Sequence, residues 1–150
     1  MAIGRGVSVW VLDAPHGFGA ADYHSHHAIQ ITVALDGQLS LSTSSESLSS
    51  PALAVAADAL HRIDGCGFFA FIFVEPESRQ GRSLSQALFG KRELVELDNP
   101  HLVDLLAPLR RTFEQRVGNE ELLAVGRSVI EALAPAADAP LPDARVQRII

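Results

Sequence analysis

The chain has 150 residues, a formal net charge of −6, 47% hydrophobic and 20% charged residues. That is enough apolar material for one core, or one domain with a small helical appendage, and it excludes a disordered chain. The acidic balance excludes nucleic-acid binding by these residues themselves, because neutralising phosphates needs a basic face. The single cysteine, Cys66, permits no internal disulfide and fits a reducing, cytoplasmic compartment. The longest apolar run, "CGFFAFIFV", is too short to span a membrane. The first residues lack the charged segment, apolar core and cleavage site of a secretion signal.

In chain order, "VSVWVL" (7–12) is β-branched and aromatic and reads as a strand. In "IQITVAL" (29–35) the residues alternate, with Ile29, Ile31, Val33 and Leu35 on one face and Gln30, Thr32 and Ala34 on the other. Asp36-Gly37 is a two-residue hairpin signal, and "QLSLST" follows as the return strand. The serine-rich "STSSESLSSP" reads as a loop. "ALAVA", "ALHRI" and "FFAFIFV" complete a series of short strands separated by turns, the spacing of a sandwich or barrel. Cys66 falls between turn glycines and reads as a small buried residue.

The second half turns helical. "SRQGRSLSQALFG" reads as a short helix (79–89) ended by Gly90. "RELVEL" is a strand or extended segment. Asp98-Asn99-Pro100 opens a helix with an apolar stripe of Leu102, Leu105, Leu106, Leu109 and Phe113. After a break at Gly118-Asn119, a second helix carries Leu122, Leu123, Gly126, Val129, Ile130 and Leu133. Arg110, Arg111 and Arg116 read as a solvated face. "PAADAPLP" is a linker. The final "DARVQRII" begins like another helix, with Asp143 as its cap, and leaves Val146, Ile149 and Ile150 without a partner.

The chemistry concentrates in "DYHSHHAIQITVALDG" (22–37). On a strand, residues two apart share a face, so His24, His26 and Gln30 point together. His27 points the other way, with Ile29 and Ile31, and becomes a ligand only if a bulge shifts the strand. Neutral imidazoles with an amide oxygen suit a divalent ion such as Zn²⁺, Ni²⁺ or Fe²⁺. The same residues equally suit a polar lining for a small ligand, or a hydrogen-bonded cluster that holds nothing. His16 and His101 read as surface histidines.

His24-x-His26, Gln30 four residues on and Gly37 seven further resembles the first motif of the cupins. "AVAADALHRIDG" resembles the second, with Ala56 and Asp58 in place of a proline and a glycine. The resemblance makes His61 the third histidine of the same interior. Gln30 stands where the family usually has a glutamate, so one anionic ligand is lost. It implies a mainly β fold: a cupin-like double-stranded β-helix (jelly-roll) barrel over 1–98, followed by a C-terminal antiparallel helical pair over 99–134. Residues 135–150 would be a linker and the first turns of a helix-turn-helix domain.

That order resembles the N-terminal sensor half of AraC-type transcription regulators. It implies a homodimer through 99–134, an effector that is a small molecule or a metal, and DNA contact only through a further C-terminal domain. Ligand-binding residues would be His24, His26, Gln30, Thr32 and His61, with His24, His26, Gln30 and His61 as the metal set. On this reading the protein is not an enzyme, and a cavity reaches these side chains. Two rivals are a standalone metal-dependent cupin enzyme, of isomerase or dioxygenase type, and a structural cupin that binds nothing.

Overall fold

The computed structural model describes residues 2–18, 22–99, 101–115 and 119–135. Seven strands are present among the described residues: β1 (Ala2–Gly4), β2 (Val7–Ala14), β3 (Ile29–Ser42), β4 (Ser47–Ser49), β5 (Ala52–Val55), β6 (Arg62–Val74) and β7 (Leu94–Glu96). They form one antiparallel sheet in the order β1-β2-β6-β3-β5-β7, with β4 paired to the end of β3. Among the described residues no ladder joins β7 to β1, so the pairing shows one antiparallel sheet and does not by itself close a barrel. No described helix is long and apolar enough to cross a membrane.

Helix α1 (Arg79–Leu84) is capped by Ser78, whose hydroxyl accepts from the Gly81 N–H, and continues as a π-helical turn over Ser85–Phe89. It ends at Gly90, which has φ of 57°. Helix α2 (Leu102–Gln115) follows Asn99, whose side-chain oxygen accepts from the His101 N–H. Helix α3 (Asn119–Leu133) completes the described chain.

The alternation read in β3 sorts the whole sheet. On one face, Val7, Val9, Ile29, Ile31, Val33, Ala70, Ile72 and Val74 pack beneath Leu102, Leu106, Leu109, Leu122, Val129 and Ile130 of the helices. Each fully buried aliphatic side chain here contributes about 1.5–3 kcal/mol of transfer free energy. Helix α3 lies so close to β2 that a Cβ on Gly126 would meet Val9 Cγ2 at 2.5 Å. The fully buried part of the described apolar stripes of α2 and α3 therefore packs on the sheet, with Leu105 and Leu133 only partly buried. On the other face, Ala34, Leu39, Leu41, Leu53, Val55, Phe69 and Leu94 form a second core.

Several readings are corrected. Asp36-Gly37 does not turn a hairpin: β3 runs straight through it, with a register shift between Ala34 and Asp36 against β6. Gly37 has φ of 89° and faces Gly67, and any Cβ there would collide with the Cys66 carbonyl, so this glycine serves a bulge and close backbone contact. The supposed turn around Cys66 lies within β6, which joins the last two residues of "ALHRI" to "FFAFIFV", and Cys66 is exposed rather than buried. The serine-rich loop contains β4, and β1 has no counterpart in the sequence reading. Pro100, Arg116, Gly118 and the final linker with "DARVQRII" lie outside the described residues, as do the side chains of Arg110, Arg111 and Phe113.

Candidate metal centre

Gln30 and Thr32 leave β3 on the face opposite the helices, both buried. His24 and His26 are not on that strand, contrary to expectation: β3 starts at Ile29, and the two histidines sit on the segment leading into it. What fixes them is an isolated antiparallel bridge between His24 and His61. Each residue's N–H donates to the other's carbonyl at 2.8 Å. The bridge sets the two rings 4.5 Å apart between centroids, and the His26 ring lies 5.8 Å from His24 and 5.1 Å from His61. One ring nitrogen from each of the three lies within 4.8 Å of the other two.

The backbone fixes which nitrogen is free. Nδ1–H of His24 donates to the Asp22 carbonyl at 3.2 Å, that of His26 to Ala28 at 3.1 Å and that of His61 to Ala59 at 2.8 Å. A carbonyl can only accept, so in each neutral ring the proton is on Nδ1 and the lone pair on Nε2. A backbone carbonyl behind Nδ1 is also the usual support of a metal-binding imidazole, because it fixes tautomer and ring direction. His61 is 1% exposed, and its Nε2 is buried without a hydrogen-bond partner. Burial lowers the His61 pKa, with a further push from His24 and His26 and an opposing pull from its bond to Ala59. The ring is thus held neutral, the form that ligates a metal.

Gln30 sits against this set. Its Oε1 lies 2.9 Å from His26 Nε2, and its Nε2–H donates to the Thr32 hydroxyl at 2.8 Å. With Nδ1 of His26 already protonated, these are two lone pairs face to face. A cation between them resolves the clash, as does reversal of the amide end for end. Two donors about 2.0–2.2 Å from one ion stand roughly 3 Å apart, so the spacing suits shared ligation. The donor set of three imidazoles and an amide oxygen fits a borderline divalent ion.

His27 takes no part. It is 60% exposed rather than packed with Ile29 and Ile31, and is clamped between Asp58, at 3.1 Å, and Glu77. The hydrogen bonds to Glu77 and Asp58 raise its pKa, and His27 in turn lowers that of Glu77. Reading the sequence missed Phe73, whose ring meets His26 edge-on at 5.2 Å. The signal was available in the alternation of "FFAFIFV", but only the β3–β6 register, which sets Gln30 opposite Phe73, connects it to the histidines.

Two cavities are described. One of about 720 Å³ lies at the glycine-rich crossing of β3 and β6 and includes His16, Asp64 and Cys66. One of about 290 Å³ is lined by Gly6, Val7, Ser8, Trp10, Ala28, Phe73 and Glu75. Contrary to the expectation of a cavity reaching these side chains, neither is lined by His24, His26, Gln30, Thr32 or His61; the smaller includes Phe73, whose ring meets His26.

No family model and no curated protein matches the chain. Among solved structures, apo ToxT K231A from Vibrio cholerae is similar at a TM-score of 0.50 and 13% identity, over 84% of this chain and 52% of that one. The AraC-like transcriptional activator CuxR gives 0.48 and 12%, over 81% of this chain and 46% of that one. A protein of unknown function of the DUF861 family from Pseudomonas syringae gives 0.45 and 13%, over 65% and 39%. The chain thus spans about half the length of ToxT and of CuxR. At these identities the likeness to ToxT is one of fold: a mainly β domain with few helices, among whose structural neighbours are AraC-like regulators.

Proposed function

We propose that this chain is the effector-sensing and dimerisation domain of an AraC-type transcription regulator, built on a cupin-like jelly roll. His24, His26 and His61, with Gln30 as a fourth donor, hold a divalent metal, and Thr32 orients Gln30. The observation that carries the site is the set of three clustered imidazoles whose Nδ1–H groups all donate to backbone carbonyls, which leaves the lone pair of each on Nε2, that of His61 buried and unpartnered. The regulator reading is supported by the likeness of fold to ToxT. ToxT has been solved with an unsaturated fatty acid bound; in this chain the effector anchors at the histidine cluster. When bound, the metal supplies a fixed positive centre for an effector's polar head.

The fold offers a route from site to output. Gln30 and Thr32 face the cluster, while Ile29, Ile31 and Val33 on the same strand press against α2 and α3. An effector that favours one setting of β3 biases the helices behind it, and through them a dimer and its attached DNA-binding domains. DNA contact belongs to residues beyond the acidic domain described here.

Metal analysis of protein purified without an affinity tag tests the site. One equivalent of Zn²⁺, Ni²⁺ or Fe²⁺ is expected, falling to none in His26→Ala. A wild-type protein that neither retains nor rebinds any of the three overturns the metal reading. Light scattering tests the dimer, with a mass near twice 16.1 kDa expected. The reading frame past Ile150 tests the regulator: a basic helical segment is expected there.

A further inference from the structure

A second site stands beside the histidine cluster and is lined by none of its residues. It is the cavity of about 290 Å³ at the start of β2. There the β2–β6 ladder sets Ser8 opposite Phe73 and Trp10 opposite Phe71. Trp10 and Phe73 are the aromatic walls. The indole N–H of Trp10 donates to the Ser8 hydroxyl at 3.3 Å, which ties the ring to its own strand while leaving the residue 43% exposed. Among the described residues no other ring and no arginine or lysine covers Trp10; the cation–π contact of Arg62 is made with Tyr23 instead, at 5.3 Å. Phe73 is held from two sides, parallel within 5° to Phe71 and edge-on to His26.

The remaining wall is a carboxylate. β6 ends at Val74, and strand alternation brings Glu75 to the face of Phe73. The Glu75 N–H donates to the Gly6 carbonyl at 2.8 Å, and its own carbonyl accepts from the Ser78 hydroxyl at 2.6 Å. The backbone of Glu75 is thereby pinned at the cavity. Its carboxylate has no ion-pair partner among the described residues, unlike Glu77 and Asp58, which hold His27. Charge then selects the occupant. The face of an aromatic ring is negative and attracts a cation within about 6 Å of its centroid. A carboxylate at the same opening strengthens that attraction and repels an anion, and the net charge of −6 pulls the same way at longer range. The lack of acceptors selects further. A primary ammonium brings three N–H donors, but here it meets one carboxylate and a hydroxyl that already accepts from the indole. A cation sheathed in methyl groups brings no donor to satisfy, and its methyls pack on ring faces. Small-molecule pockets run from about 300 to 1,000 Å³, so this one suits a compact ligand.

We propose that this cavity binds a small quaternary ammonium cation, its methyl groups against Trp10 and Phe73 and its charge facing Glu75. The site goes beyond the metal reading and does not depend on it. The indole of Trp10, the only tryptophan in the chain, reports binding directly.

The test uses the full 150-residue chain, its fold checked by circular dichroism. Choline, methylammonium and dimethylbutanol, the neutral analogue in which carbon replaces the nitrogen of choline, are titrated while Trp10 fluorescence and heat are followed. Choline is expected to bind about tenfold more tightly than dimethylbutanol, which has its shape without its charge, and more tightly than methylammonium. Glu75→Gln, an exposed substitution that leaves folding intact, should weaken choline by about tenfold and leave dimethylbutanol unmoved. Trp10→Leu, read by calorimetry, should weaken choline as well. Chelation of any bound metal should leave the choline affinity unchanged in protein that is still folded. If choline fails to bind, binds no better than dimethylbutanol or ignores Glu75→Gln, the proposal is overturned and the metal reading is untouched. Tighter binding of methylammonium than of choline also overturns it, as does an affinity for choline that disappears with the metal.

Discussion

The two faces of the sheet differ by one residue of register along β3. Ile29, Ile31 and Val33 look into a sealed contact with α2 and α3; Gln30 and Thr32, one step along, look at histidines and half-open phenylalanines. The first face is sealed by aliphatic side chains with no polar atoms to satisfy. The second keeps polar atoms that satisfy one another only in part, and one of them, His61 Nε2, has no partner. Both faces carry buried apolar side chains, but the unfinished chemistry is confined to the second. A site that must exchange a ligand has to be built on the side that folding does not need sealed.

Separating the two faces experimentally gives the largest effect first. Leu106→Ala, on the fully buried face of α2 against the sheet, should destabilise by about 2–5 kcal/mol in urea unfolding, while the zinc stoichiometry of the folded fraction stays unchanged. A loss of zinc in step with stability would show that the faces are not independent.

Next comes the ligand-linked stabilisation of the other face. Zinc at a hundredfold excess over its dissociation constant should raise wild-type stability by about 2.7 kcal/mol and leave His61→Ala unmoved. Gln30→Glu restores a carboxylate and should tighten zinc by at least tenfold, about 1.4 kcal/mol. Calorimetry on the two proteins checks this, and an unchanged affinity would place residue 30 outside the ligand set.

The smallest effects are those of pH, and they oppose each other. The folded pKa of His61 is lowered, so its contribution is fully present above the unfolded value of about 6.5 and is lost as pH falls through the folded one. That of His27 is raised, so its contribution is fully present below about 6.5 and is lost as pH rises through its folded value. His27→Ala should therefore steepen the loss of stability of metal-free protein between pH 7.5 and 5.5. Urea midpoints across that range decide it; a flatter profile in the variant would contradict the assignment.

Much of this was legible in the chain, for physical reasons that can be named. The alternation in β3 is a period-two pattern and survives whatever it pairs with, so both faces were readable. The helical stripes were readable on the same grounds. Asp36-Gly37 was misread because a glycine at positive φ serves a bulge as well as a turn, and only the partner strand distinguishes the two. The grouping of His24 with His26 was expected from strand geometry, yet it is produced by a bridge to His61 and by carbonyls two residues away. Phe73 was invisible as a neighbour of the site because the β3–β6 register is not written in either strand alone.

The central claim concerns protons on three rings, and imidazole ¹⁵N correlation spectra of metal-free protein near pH 7.5 address it most directly. The account predicts the Nδ1–H tautomer for His24, His26 and His61 together, with the three Nε2 resonances moving when Zn²⁺ is added. An Nε2–H tautomer at His26 or His61, or Nε2 signals indifferent to zinc, would contradict it.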